Sequence, residues 1–89
     1  MILQRPSFER AYKKLTAQQQ TRVDKAITRL EKSFGRPHEH AAIGIRPFGR
    51  FFECRAGLQL RILFVILEGD LILVTVGGHD DIRAFIKHN

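Results

Sequence analysis

Four residues in the second half of the chain, Glu53, Arg55, Arg61 and His79, carry side chains suited to phosphate chemistry. A guanidinium can hold two phosphate oxygens at once and balance charge that builds up on them. An imidazole, which ordinarily titrates near about 6.5, can take or give a proton at neutral pH. The spacing suggests that they meet. A period of two places Phe51, Glu53 and Arg55 on one side of a strand, and Arg61 is the charged exception on an otherwise apolar following strand. A tight turn at Glu68-Gly69-Asp70 sends Leu71–Val76 back antiparallel, which brings His79, after Gly77-Gly78, toward Arg61. On RNA the 2′-hydroxyl supplies the nucleophile. The protein then has to hold the backbone, remove one proton and return another, and that scheme requires no metal. Plainer roles stand beside this one: Arg61 could pair with Glu53 and tie two strands together, and His79 could be an exposed turn residue.

The elements that must position these residues read as follows. In the strand Leu58–Leu67, Leu58, Leu60, Ile62, Phe64 and Ile66 share one face, and Gln59, Arg61, Leu63, Val65 and Leu67 share the other. Phe52 and Cys54 lie on the first face. Upstream, Ile2 and Leu3 form a short edge strand that Pro6 ends. Phe8, Ala11, Tyr12 and Leu15 then fall on one helical face with Ser7 as N-cap. Thr16-Ala17-Gln18-Gln19 has the form of a capping box and opens a second helix, which carries Val23, Ala26, Ile27, Leu30 and Phe34 and stops at Gly35 and Pro37. Ile43 and Ile45 start a strand that Pro47 and Gly49 interrupt. Asp80 or Asp81 caps a last helix with Ile82, Phe85 and Ile86 on one side. The expected architecture is a single α+β domain over 1–89. An N-terminal helical hairpin packs on the even-numbered face of a twisted antiparallel sheet of about four strands, a short C-terminal helix follows, and the odd-numbered face is open.

Fifteen Lys and Arg against nine Asp and Glu give a net charge of +6, which favours polyanionic partners, nucleic acid first. Lys13, Lys14, Arg22, Lys25, Arg29 and Lys32 read mainly as a solvated helical face. The single cysteine, Cys54, excludes an intramolecular disulfide framework, fits a reducing compartment and reads as a small core residue. There is no apolar run of signal-peptide or membrane-spanning length, so the expected location is the cytoplasm, with no membrane partner. His38-Glu39-His40 lacks a companion ligand set, and neither a metal nor a cofactor is expected.

The order Phe8-x-x-Ala11-Tyr12-Lys13-Lys14-Leu15, a long second helix, Phe52-Glu53-Cys54-Arg55, Leu60-Arg61-Ile62-Leu63-Phe64 and Val76-Gly77-Gly78-His79-Asp80 resembles the RelE/ParE superfamily of bacterial toxins, in particular its RelE-like mRNA interferase branch. The resemblance runs over nearly the whole chain. It implies two helices on a curved antiparallel sheet and a toxin of a type II toxin-antitoxin system. RelE-type members cleave mRNA, usually in the ribosomal A site, whereas ParE-type members inhibit DNA gyrase, and an antitoxin encoded alongside neutralises each kind. By this resemblance Arg61 matches the strand arginine that contacts the scissile phosphate, and His79 matches a catalytic position near the C-terminus. Glu53 replaces one of a pair of strand lysines, and Phe85 takes the place of a tyrosine, where core packing suits it better than base stacking. Proton transfer then falls to His79, with Glu53 or His88 as second candidates, and Arg46, Arg50, Arg55, Arg83 and Lys87 are the cations expected to hold RNA phosphates. The implied partners are a cognate antitoxin, in a possible hetero-oligomer, and mRNA with the ribosome. The alternatives are a gyrase inhibitor without catalysis and a member in which Glu53 neutralises Arg61 and no activity remains.

Overall fold

The computed structural model describes residues 1–33 and 44–88. Phe34, Gly35, Pro37, the His38-Glu39-His40 triplet and Ile43 lie outside the described residues. The chain runs β1 (Ile2–Gln4), α1 (Pro6–Lys13), α2 (Ala17–Ser33), β2 (Arg46–Phe48), β3 (Phe51–Arg55), β4 (Arg61–Leu67), β5 (Asp70–Gly77) and α3 (His79–Lys87). The strands form one five-stranded sheet in the order β1-β5-β4-β3-β2. It is the expected α+β architecture with one strand more. Each of β2 to β5 pairs antiparallel with the next, while β1 pairs parallel with β5, Ile2 opposite Leu71 and Gln4 opposite Leu73.

Local chemistry explains most of the boundaries. Thr16 and Gln19 form the expected capping box: the Gln19 amide donates to Thr16 Oγ1 at 3.1 Å and the Thr16 amide donates to Gln19 Oε1 at 2.9 Å. α1 begins two residues earlier than expected, with Arg5 as N-cap and Pro6 in its first turn, where a missing N–H costs nothing. Ser7 is therefore not the cap. Its hydroxyl donates to the Val74 carbonyl and fastens α1 to β5. The Glu68-Gly69 turn has both residues at positive φ, 52° and 85°, the geometry that matches the twist of a two-residue hairpin. Pro47 is accommodated within β2 because that strand lies at the sheet edge.

Two further sequence expectations need correction. β4 starts at Arg61, not Leu58, because the Ala56 amide donates to the Leu60 carbonyl at 2.9 Å and closes a turn around Gly57. Leu58 is consequently 90 % exposed instead of buried in the core. The odd-numbered face is also not an open floor. α1 and α2 cover the other face, burying Phe8, Val23 and Leu30 against Cys54, Ile62, Phe64 and Leu73. α3 packs on the odd face, where Ile82 joins Phe51, Leu63 and Val74 in a second buried cluster, with Phe85 edge-on to Phe51. A register irregularity between Leu63 and Phe64, opposite Thr75 and Leu73, leaves Val74 as the extra residue, and Val74 fills this second cluster. Each fully buried aliphatic side chain contributes about 1.5–3 kcal/mol, so α3 is held by its own small core.

Candidate functional site

Arg61, the first residue of β4, pairs with Gly77, the last residue of β5. That pairing ends the sheet at a cleft of about 450 Å³ between the Gly57 turn and the start of α3. Leu58, Gln59, Arg61, Gly78, His79, Asp80 and Asp81 line it. Arg61 and His79 thus line one cleft, the neighbourhood their spacing suggested. His79 is exposed in the first turn of α3, and the edge of its ring lies against Phe48, with centroids 6.5 Å apart. The N-cap of that helix is Gly78, not Asp80 or Asp81 as expected; Asp81 instead stands in the first turn, where its Oδ2 accepts the Gly78 amide proton at 2.9 Å. Gly77 permits this close turn. A Cβ there would stand 2.8 Å from Asp81 Cβ, closer than real contacts allow.

Behind the cleft, Glu53 sits on β3 at 1 % exposure. Arg46 faces it from β2, with Nε donating to Glu53 Oε1 at 2.7 Å. Arg61 approaches from β4, and its Nε lies 3.8 Å from the same oxygen, an ion-pair distance without a hydrogen bond. Glu53 Oε2 and Arg61 Nε and Nη1 are buried with no hydrogen-bond partner. Arg55 stands directly opposite Arg61 in the β3–β4 register, so two like charges are neighbours across the strands. Two guanidinium groups therefore share one carboxylate oxygen, and only Arg46 hydrogen-bonds to it.

The remaining expected cations lie apart from the cleft. Arg50 places its guanidinium over the Phe51 ring at 5.6 Å. Arg83 and Lys87 are exposed on α3. His88 is the C-cap of that helix, at the opposite end from His79. The packing of α3 places Phe85 against Phe51, in keeping with a core role. Leu58, Gln59 and Asp80 line the cleft but were not singled out from the sequence. Gly57 was the available signal, since a turn there swings Leu58 and Gln59 out of the strand and beside Arg61.

Two titratable groups are shifted. Burial pushes the Cys54 thiol up to about 12, opposed by Arg29 and reinforced by Glu53, which makes it inert as a nucleophile near neutrality. The Tyr12 hydroxyl donates to Asp24 Oδ1 at 2.7 Å, and that bond raises its pKa and ties α1 to α2. Among the described residues no three His, Cys, Asp or Glu side chains gather to hold a metal ion, and no helix is long and apolar enough to cross a membrane.

This arrangement of helices and strands is the fold of the RelE-like toxins. The chain is similar to a chain of the RelB-RelE antitoxin-toxin complex from Methanococcus jannaschii, with a TM-score of 0.72 and 15 % identity over 93 % of this chain and 96 % of that one. It is also similar to a chain of the YoeB-YefM complex from Staphylococcus aureus, with a TM-score of 0.65 and 19 % identity over 89 % of this chain and 95 % of that one. A third match is the intact RelBE toxin-antitoxin complex of E. coli, with a TM-score of 0.61 and 12 % identity over 88 % and 94 % of the two chains. No protein-family model and no curated protein matches the sequence.

Proposed function

We propose that the protein is the toxin of a type II toxin-antitoxin system and acts as a metal-independent endoribonuclease on mRNA, on the ribosome. The observation that carries this reading is the meeting of Arg61 and His79 in one cleft of a RelE-like fold. In the reaction the ribose 2′-oxygen attacks phosphorus, the bond to the 5′-oxygen breaks, and a 2′,3′-cyclic phosphate and a 5′-hydroxyl result. One proton leaves the 2′-hydroxyl and one reaches the departing oxygen. Arg61 neutralises charge on the phosphoryl oxygens, and His79 serves as the acid or base. Asp80, exposed in the same cleft, is a further group there able to accept a proton, whereas the Asp81 carboxylate is taken up by the Gly78 amide. Arg55 flanks Arg61, and Arg46, Arg50, Arg83 and Lys87 spread positive charge over the surfaces beyond, which favours a long RNA over a small substrate.

A cognate antitoxin is the second proposed partner. The exposed Leu3, Ile66 and Leu67 offer apolar contacts near the hairpin end of the sheet, and the net charge of +6 suits acidic residues on the antitoxin. Mapping RNA 5′ ends after brief induction of the chain without antitoxin tests the reading. Cuts at fixed codon positions inside translated frames are expected, and Arg61→Ala and His79→Ala should each abolish them. DNA-damage signalling with intact mRNA would instead indicate a gyrase inhibitor.

A further inference from the structure

The ribonuclease reading leaves a buried carboxylate unexplained. Glu53 is 1 % exposed and does not line the cleft, so it is badly placed to exchange a proton with RNA. Its burial is costly, because charges removed from water need full pairing and Oε2 has no hydrogen-bond partner. Arg46 takes the one strong hydrogen bond at 2.7 Å, while Arg61 stays at 3.8 Å with Nε and Nη1 unpartnered. Were Glu53 simply neutralising Arg61, the shorter contact would be expected between those two. Instead Arg46 holds the carboxylate, and Arg61 keeps Nε and Nη1 buried beside it without a hydrogen bond, while the 18 % of its side chain that is exposed lines the cleft.

We infer that Glu53 is a positioning residue: held by Arg46, it steers the Arg61 guanidinium by charge without hydrogen-bonding it, so that the exposed end of Arg61 faces the cleft and a phosphate. The inference rests on the ribonuclease reading for its substrate, though not for its geometry. Arg55, directly opposite Arg61, would otherwise repel it, and the Glu53 carboxylate, within ion-pair distance of Arg61, offsets that repulsion. Placement and affinity then pull in opposite directions. Removing the negative charge makes the site more attractive to phosphate while leaving Arg61 free to wander, and a misplacement of about 1 Å can cost roughly a hundredfold in rate.

The test compares wild type and Glu53→Gln for binding to an RNA-sequence oligonucleotide made non-cleavable by 2′-deoxy substitution, and for cleavage of the matching mRNA in a translating extract. Glu53→Gln should bind the non-cleavable strand a few times more tightly yet cleave about tenfold or more slowly, lowering KM and kcat together. Glu53→Asp, which keeps the charge, should recover part of the rate. A variant that melts earlier but shows unchanged KM and kcat per folded molecule would reduce Glu53 to a strand tie and overturn the inference. If Glu53→Gln does not fold, Arg46→Ala decides. With Arg46 gone, Glu53 turns to Arg61, and binding of the non-cleavable strand should fall by more than in Arg83→Ala, which removes an equal charge elsewhere. Equal losses would overturn the inference. Absence of cleavage by the wild type would refute the ribonuclease reading alone, because the binding comparison still reports on Glu53.

Discussion

Under α1 and α2 the sheet presents Ile62, Phe64, Leu73 and Val76, all apolar and nearly inaccessible. On the opposite face the same strands present Glu53, Arg61 and Thr75 beside Leu63 and Val74, and only one short helix covers them. One face is a uniform core supplied by two helices. The other combines a small core with buried charge, and the cleft opens where that core stops. An incompletely satisfied group such as Arg61 is tolerable there because the larger apolar face carries most of the stability. Separating the two tasks by face lets the strands supply both a foundation and a site.

The comparison can be broken most directly at the cleft. Arg61→Ala and His79→Ala should each reduce RNA cleavage by about a hundred- to a thousandfold with only small changes in urea midpoint, since His79 is exposed and Glu53 keeps Arg46. A large loss of stability in His79→Ala would show that the cleft belongs to the core. Paired core truncations sharpen the contrast. Leu73→Ala and Leu63→Ala should each cost about 2–5 kcal/mol in chemical denaturation. Only Leu63→Ala, which lies under α3, should also lower activity per folded molecule. Equal activity in the two would erase the distinction between faces.

Smaller effects follow on the hairpin side. Thr16→Ala removes the cap of α2 and should cost about 1 kcal/mol with activity unchanged. Cys54 should resist alkylation at pH 8 until the protein unfolds. Its folded pKa, about 12, lies above the ordinary 9.0, so the folded state holds this proton more tightly. The contribution of Cys54 to stability is thus complete below about pH 9 and declines as pH rises toward 12, which an alkaline denaturation series would register.

Much of this division was legible in the amino-acid sequence. Strand alternation separated Cys54, Ile62 and Phe64 from Glu53, Arg55 and Arg61, and the Glu68-Gly69 turn fixed the register that carries His79 to Arg61. The cover of the odd face was less visible. Leu63 and Val65 already called for an apolar partner there, but Ile82, Phe85 and Ile86 do not say which face they will meet. Leu58 misled because it continues the alternation of β4, whereas the hydrogen bond from Ala56 to Leu60 removes it from the strand. The parallel pairing of β1 also escaped, since Ile2 and Leu71 are joined by no local turn.

β5 also has a bearing on when the protein acquires its properties during synthesis. It receives β1 on one edge and β4 on the other, accepts the Ser7 hydroxyl through Val74, and ends where Gly77 faces Arg61. A nascent chain that has passed Leu67 but not Asp70 holds both N-terminal helices and Arg61, yet it has no strand to pair with β1, no carbonyl for the Ser7 hydroxyl and no His79. Fold and cleft are therefore completed together by the last twenty or so residues, as expected for a topology dominated by contacts distant in sequence. A chain cut short before Asp70 thus has neither the joined sheet nor the cleft, and both arrive in one step with β5 and the start of α3.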